Sequence, residues 1–264
     1  MTVSPHPNSR TATARWRELL EARQIPAEIR QAAPQDPNRH IPERFLPPQV
    51  PEDTPSRRAA MQLLGPAGGT VLDVGCGAGA AGLALVPRVA HLTGVDPADD
   101  MLRAFDQACA QRGVAHRCVH GPWPKVAAEA GLADVVVSHH VGYNTSELGP
   151  FVAALGAAAR RGVVVELHAV HPGGWLDPLW ARFHGLHRPP PATADDALAV
   201  FAEIGLQPQV QRWTRPGTPR APGQEVDFAL RRLCLPEERR AEVTEAVEAL
   251  GPRHRDLLTV SWPA

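Results

Sequence analysis

From Thr70 onward, short apolar runs alternate with stretches whose apolar residues recur at helical spacing. Residues 70–74, 91–95, 115–119, 134–138 and 163–167 read as five buried strands, and the three consecutive valines of the fourth suit burial on both faces. Between them, 80–86, 97–112 and 149–160 read as helices, the second closed by Gly113 and the third opened by Pro150. This alternation predicts an α/β fold with a doubly wound, mainly parallel sheet. In such sheets ligands bind outside the carboxyl ends of the strands, so the residues just after each strand carry the chemistry.

The flanks are less regular. Thr193, with Asp196 three residues on, resembles a capping box with Asp in place of the usual Glu, and Leu198, Phe201 and Ile204 form an apolar face behind it. Residues 207–214 and 226–234 read as two more strands joined by a Pro/Gly-rich loop, which brings the sheet to seven. A last helix over 236–250 carries Val243, Val247 and Leu250 on one face and stops at Gly251-Pro252. Toward the start, the spacing of Trp16, Leu19, Leu20 and Arg23 predicts a helix over 13–24, followed by a turn near 26–32 and extended chain over 33–53. A helix begins at Thr54-Pro55 and ends near Gly65-Pro66. The first 60 residues hold 10 of the 28 prolines, so 1–53 reads as a loose arm or a lid. The lid is favoured because Trp16, Phe45 and Leu46 would otherwise face water. The expected organisation is a lid over 1–53, a main domain over 54–235, and a C-terminal helix and tail over 236–264 packed on the core.

Composition narrows the function. With 44% hydrophobic and 21% charged residues, the 264-residue chain can bury a sizeable core, which excludes wholesale disorder. A net charge of −1 argues against nucleic-acid binding through bulk charge. The pairs Arg57-Arg58, Arg160-Arg161, Arg231-Arg232 and Arg239-Arg240 are scattered and read as solvated element ends. The four cysteines form no C-x-x-C pair, which fits reduced thiols. No run reaches the ~18–20 apolar residues of a membrane span, and the start has no apolar run behind its arginines. A cytoplasmic protein is expected.

The strongest motif is Asp73-Val74-Gly75-Cys76-Gly77-Ala78-Gly79 at the end of the first strand. Glycines between strand and helix let the backbone approach a ligand that a Cβ would block, and a helix start offers free N–H groups. Asp96 ends the second strand, where a carboxylate can accept bonds from the paired hydroxyls of a ribose. The glycines and the acid admit a dinucleotide or S-adenosylmethionine. Taken together, Asp73-x-Gly75-x-Gly77-x-Gly79, Asp96 and the helix start Asp99-Asp100-Met101-Leu102 resemble the class I S-adenosylmethionine-dependent methyltransferases over about 54–235. The resemblance implies their Rossmann-like fold and S-adenosylmethionine as cofactor. It further implies that Asp73 holds the methionine ammonium, that 75–79 approaches the sugar and methionine, that Asp96 holds the ribose and that Met101 touches the adenine. Pro97, Gly121 and Ser138 join this set by position, and Cys76 lies in the loop as a small packing residue. Many relatives carry Gly-Asp-Ala after the third strand; this chain has His120-Gly121-Pro122-Trp123-Pro124, so Trp123 is expected to wall the adenine or to pack.

The acceptor side is read from the next two strand ends. Ser138-His139-His140-Val141-Gly142-Tyr143-Asn144 lacks both the Asn-Pro-Pro-aromatic and the Pro-Cys patterns of nucleobase methylators. Glu166-Leu167-His168-Ala169-Val170-His171 opens an aromatic, His-rich insert that runs through Trp175, Trp180, His184 and His187. His168-x-x-His171 with His184-x-x-His187 could ligate zinc; no cysteine or carboxylate set joins them, and no metal is expected. His139, His140, Tyr143 and His171 are the candidate catalytic residues, because His can take a proton from an acceptor near neutral pH and the single tyrosine can orient one. The expectation is methyl transfer to a small-molecule acceptor, with no membrane and no nucleic acid. The alternatives are a cofactor-binding module without turnover, an RNA or protein methyltransferase, and an NAD-dependent oxidoreductase.

Overall fold

The computed structural model describes residues 11–215, 223–251 and 253–264. The first ten residues, most of the Pro/Gly-rich loop before 224 and the Pro252 stop lie outside the described residues.

Seven strands form one sheet: β1 (Gly69–Val74), β2 (Val89–Asp96), β3 (His116–His120), β4 (Ala133–His139), β5 (Ala159–His168), β6 (Gln209–Arg215) and β7 (Arg255–Pro263). Their order is β3-β2-β1-β4-β5-β7-β6. The first five are parallel, and β7 runs antiparallel to both β5 and β6. The helices are α1 (Ala12–Glu21), α2 (Ala27–Gln31), α3 (Pro55–Leu64), α4 (Ala80–Leu83), α5 (Asp99–Gln111), α6 (Ala127–Ala130), α7 (Leu148–Ala157), α8 (Asp177–His184), α9 (Ala194–Glu203), α10 (Gln224–Arg232) and α11 (Arg240–Ala249). The valines of β4 show why a doubly wound sheet suits them. Val135 and Val137 enter the core with Phe105 and Leu92, whereas Val136 joins the opposite core with Phe151, Leu155 and Trp262. Thr54 caps α3 with Pro55 in its first turn, and Thr193 with Asp196 closes a complete capping box on α9.

Two expectations are corrected. Residues 226–232 lie in helix α10, and 233–234 in the turn after it, not in a strand. Val226, Phe228 and Leu230 alternate as in a strand, but Val226, Ala229, Leu230 and Leu233 also fall at helical spacing. The second pattern prevails because that stripe packs on Val243, Ala246 and Val247 of α11 and on Leu179 and Trp180 of α8. The seventh strand lies in the tail instead. Leu257, Leu258 and Val260 of β7 are almost fully buried between β5 and β6, so the sheet does not end at 235 and 236–264 is more than a helix with a tail. The three large apolar side chains before α3 differ in burial. Trp16 of α1 is fully buried, yet Phe45 and Leu46 remain exposed.

Because β7 closes the sheet from within, its side chains should behave as core. Leu258→Ala is expected to cost about 2–5 kcal/mol, read as a lowered urea midpoint. A loss below about 1 kcal/mol would contradict a buried β7.

Candidate active site

The strands β1 and β4 lie side by side while β2 follows β1 on the other flank, so the order reverses between β1 and β4. The loops at this reversal form the ligand edge. Gly75 (φ +70°) and Gly77 (φ +51°) both adopt the left-handed region, and a Cβ on Gly75 would meet Val141, after β4, at 2.4 Å. The first glycine therefore serves close approach between two loops. The loop's N–H groups are largely turned inward: Gly75 and Cys76 donate to the Val95 carbonyl, and Gly79 donates to that of Cys76. Gly77 donates to Asp96 Oδ2 at 3.0 Å, and Ala98 donates to Asp96 Oδ1 at 2.9 Å. Gly121 donates to the Asp96 carbonyl. Asp96 thus joins three loops. Each carboxylate oxygen takes one backbone donor and keeps a second lone pair, the acceptor set that two vicinal ribose hydroxyls need.

Asp73 is 1% exposed and accepts from Gly82 N–H at 2.8 Å, which ties α4 to β1. Burial pushes its pKa up to about 7, against the Gly82 bond and with the added repulsion of Asp96. A cationic ligand group would complement this carboxyl. Met101 is buried in the first turn of α5, and Pro97 is exposed with its carbonyl bonded to His120 Nε2. Cys76 is buried, and burial with nearby Asp73 and Asp96 drives its thiol well above the ordinary value, so it acts as a small neutral packing group. Ser138 is spent on the Val74 carbonyl at 2.9 Å and fastens β4 to β1. Trp123 donates to the Phe151 carbonyl at 3.1 Å and packs against the core face that includes Phe151.

The chain before α3 crosses this edge. A Cβ on Gly77 would face Phe45 at 3.6 Å, and Phe45 meets His40 edge-on at 5.5 Å. Arginines pin the crossing at both sides: Arg112 donates to the carbonyls of Pro47 and Pro48, Arg232 to Pro37 and Asn38, and Arg44 to Gln224. The packing around His40, with Arg232 and Arg231, lowers its pKa, while Asp96 and Asp100 pull it up. His40 was not among the residues singled out in the sequence. It lies in a Pro-rich stretch with no periodicity to mark it.

The ends of β4 and β5 bring four histidines, a tyrosine and a glutamate together. His140 Nε2 lies 3.0 Å from Glu166 Oε1, and its N–H donates to the Glu166 carbonyl at 2.8 Å. His140 sits at φ +64°, where a non-glycine residue is strained. Its ring lies 4.6 Å from that of His168. His139 is half-buried, with Nε2 sealed from water and unpartnered. Tyr143 is a strut: its hydroxyl donates to the His168 carbonyl at 2.8 Å, its ring lies tilted against that of Trp16 at 5.3 Å, and burial raises its pKa. His171 accepts from Gly173 N–H through Nδ1 at 3.0 Å and meets the Tyr143 ring edge-on. The structure therefore draws His139, His140, Tyr143 and His171 into one region, and leaves His140 joined to a carboxylate. Glu166 passes unnoticed in the sequence because it sits inside an apolar strand run, far along the chain from its partner. His184 is elsewhere, bonded to the Leu233 carbonyl at 2.7 Å. Among the described residues, no three or more His, Cys, Asp or Glu side chains are arranged to hold a metal ion.

Burial lowers the pKa of His139 to about 4, of His168 to about 3 and of His171 to about 4. In the unfolded chain each would titrate near ~6.5. Below that pH the unfolded chain binds protons that the fold refuses, so stability falls as pH falls toward about 4. Asp73 acts in the opposite sense between about 4 and 7, holding a proton that the unfolded chain has lost. Three histidines outweigh it. The urea midpoint is expected to rise between about pH 4.5 and 6.5, and a flat or falling midpoint would contradict neutral burial of these rings.

The geometry agrees with comparisons to known proteins. A family model described as a methyltransferase domain matches residues 71–162, from β1 into β5. No curated protein sequence matches the chain. Among solved structures, the YcgJ protein of Bacillus subtilis is 19% identical, covers 78% of this chain with 95% of its own length aligned, and has a TM-score of 0.51. A provisional sarcosine dimethylglycine methyltransferase of Galdieria sulphuraria is 15% identical, with 79% and 82% covered and a TM-score of 0.52. A protein solved in work on the conversion of a disulfide bond into a thioacetal group during echinomycin biosynthesis is 17% identical, with 86% and 85% covered and a TM-score of 0.51. At these identities the likeness is one of fold. Residues 71–162 are a methyltransferase domain, running from β1 through β4 into the start of β5 in a chain with the fold of the class I S-adenosylmethionine-dependent methyltransferases.

Proposed function

We propose that this methyltransferase acts on a small-molecule acceptor bound at the ends of β4 and β5, beside His140. The observation that carries this reading is the crossing chain. Phe45 lies over Gly77, and Arg112 just after α5 and Arg232 of α10 fasten the segment at both ends. A ligand edge roofed by the protein's own chain suits an acceptor small enough to pass beneath it. A net charge of −1 agrees, since a nucleic-acid acceptor calls for a basic surface.

When bound, S-adenosylmethionine supplies a methyl group on a sulfonium, activated for direct displacement. The protein's share is alignment and exclusion of water. In this reading the Asp96 carboxylate holds the ribose hydroxyls, and the glycine loop allows the backbone close to the ligand. Buried Asp73 attracts the cationic end of the methionine moiety. The crossing segment that carries His40 and Phe45 covers the mouth and acts as the lid. Trp123 and Met101 border the adenine side, and the β4 and β5 ends present the acceptor.

Calorimetry with S-adenosylhomocysteine tests the cofactor half. Asp96→Ala should weaken binding by about 1.5–3 kcal/mol, the range for hydrogen bonds to a charged group, while the protein stays folded. NAD should not bind. Unchanged affinity in a folded Asp96→Ala protein would overturn the role of Asp96, and tight NAD binding would overturn the cofactor assignment. The acceptor half is tested by incubating the protein with methyl-labelled S-adenosylmethionine and mixtures of metabolites, protein or RNA. Label in the metabolite fraction supports the proposal, and label in protein or RNA alone overturns it.

A further inference from the structure

We infer that Arg231 and Arg232 of α10, with Arg39 and Arg44 of the crossing segment, form an anion receptor, and that the methyl acceptor carries a carboxylate or phosphate group held there. This rests on the small-molecule reading above and adds the chemical class of the acceptor.

Arg231 is the leading observation. It is 5% exposed, its Nε is sealed from water without a partner, and among the described residues its guanidinium forms no hydrogen bond or ion pair. The two terminal nitrogens are not sealed, so they remain open to a ligand. A guanidinium stays charged at any working pH, so burial cannot neutralise it as it neutralises a histidine. The last turn of α10 suits a cation, but Arg231 donates to none of its carbonyls. Its Cζ lies 5.6 Å from the centre of the Phe228 ring. Phe228 stacks on Trp175 at 6.0 Å, and Arg253 covers the Trp175 ring at 3.8 Å. Aromatic packing thus positions the Arg231 guanidinium without using its N–H groups.

Three more arginines converge on it. Arg232 donates to the Pro37 carbonyl and to Asn38 Oδ1, and Arg39 follows directly in the chain. Arg44 donates to the Gln224 carbonyl, in the first turn of α10, at 2.7 Å. Arg44, Arg232 and Arg39 all press against the charge of Arg231, and Asp227 is the carboxylate that favours it. Asp227, however, is paired with Arg240 at 2.8 Å and stands 4.0 Å from Arg44. Asp36 acts on Arg232. Positive charge is therefore in excess along the seam between α10 and the crossing segment. An anion between the two would turn their repulsion into a bridge, because guanidinium forks match the oxygens of a carboxylate or phosphate.

The receptor lies where an acceptor would need it. Arg232 and Arg231 act on His40, as do Asp96 and Asp100 of the proposed cofactor edge. Arg232 also acts on His171, beyond the end of β5. His40, Arg39 and Phe45 are exposed, so this ground is open to solvent. The anion is not the cofactor's own carboxylate. That group adjoins the methionine ammonium, which the present reading gives to Asp73, and the charge acting on Asp73 is that of Asp96 rather than of an arginine.

The test needs no known substrate. The sealed Nε–H of Arg231 is visible to nitrogen-15 NMR, and Arg231→Met identifies its resonance while keeping an apolar chain against Phe228. Full-length protein loaded with S-adenosylhomocysteine is titrated at constant ionic strength with inorganic phosphate, benzoate or neutral benzamide. Phosphate or benzoate should shift the resonance saturably, the tighter of the two naming the group, and benzamide should not. Arg39→Gln, on the surface, should weaken the tighter anion by about threefold or more. A resonance indifferent to both anions overturns the inference, as does an equal response to benzamide or undiminished affinity in folded Arg39→Gln protein. These outcomes do not depend on whether Arg231→Met folds. Where it folds, its affinity for S-adenosylhomocysteine should be unchanged; a loss of about tenfold or more would give the arginines to the cofactor carboxylate and overturn the inference. Indifference to anions with S-adenosylhomocysteine bound strikes the receptor alone, whereas a wild type that binds no S-adenosylhomocysteine overturns the methyltransferase reading as well.

Discussion

The carboxylate of Asp96 takes backbone donors from Gly77 and Ala98, and its carbonyl takes one from Gly121. Three loops that leave three different strands are held to one another by this residue, so the shape of the proposed cofactor edge depends on it. The arrangement carries an electrostatic cost. Asp96 is 8% exposed, and burial raises its pKa against the two N–H bonds and the attraction of His40. Asp73 lies close enough to feel it, and its own pKa is raised to about 7. Two acids in one small volume make a site that favours hydroxyl donors and a positive ligand group.

The proposed acceptor edge is governed by the complementary problem. Four imidazole rings converge where β4 and β5 end, and desolvation keeps three of them neutral at low proton affinity. Glu166 places a carboxylate beside them, and Ser56, which shares a hydrogen bond with Thr259, helps to hold its pKa down. The two edges meet because β1 and β4 are neighbours. Gly75 leaves room for Val141, the residue after His140, at a distance no Cβ would tolerate. A glycine in the cofactor loop therefore also sets where the acceptor loop can lie.

Much of the proposed cofactor edge is legible in the sequence because it is local. Asp73, the three glycines, Asp96 and Met101 sit at fixed offsets from strand ends, and strand ends are marked by apolar runs. The N–H accounting is not legible. The loop donors are largely consumed within the protein, so the glycines serve approach more than donation. Residues whose meaning comes from a distant partner were also hidden. Glu166 reads as an interruption in an apolar strand until His140, Ser56 and Thr259 surround it. Strand β7 gains its role only by inserting between β5 and β6, and α10 shows helical and strand periods at once, decided by its packing on α8 and α11. Tyr143, conspicuous as the single tyrosine, is occupied with the His168 carbonyl and the Trp16 ring.

The central claim is that the sheet's reversal between β1 and β4 sets a cofactor on Asp96 with its reactive end turned toward His140. A crystal structure with S-adenosylhomocysteine measures this directly. The account predicts both ribose hydroxyls on the Asp96 carboxylate and the sulfur facing the ends of β4 and β5, with His140 lining the space beyond it. A ribose held away from Asp96, or a sulfur directed to the β3 side of the loop, would contradict it.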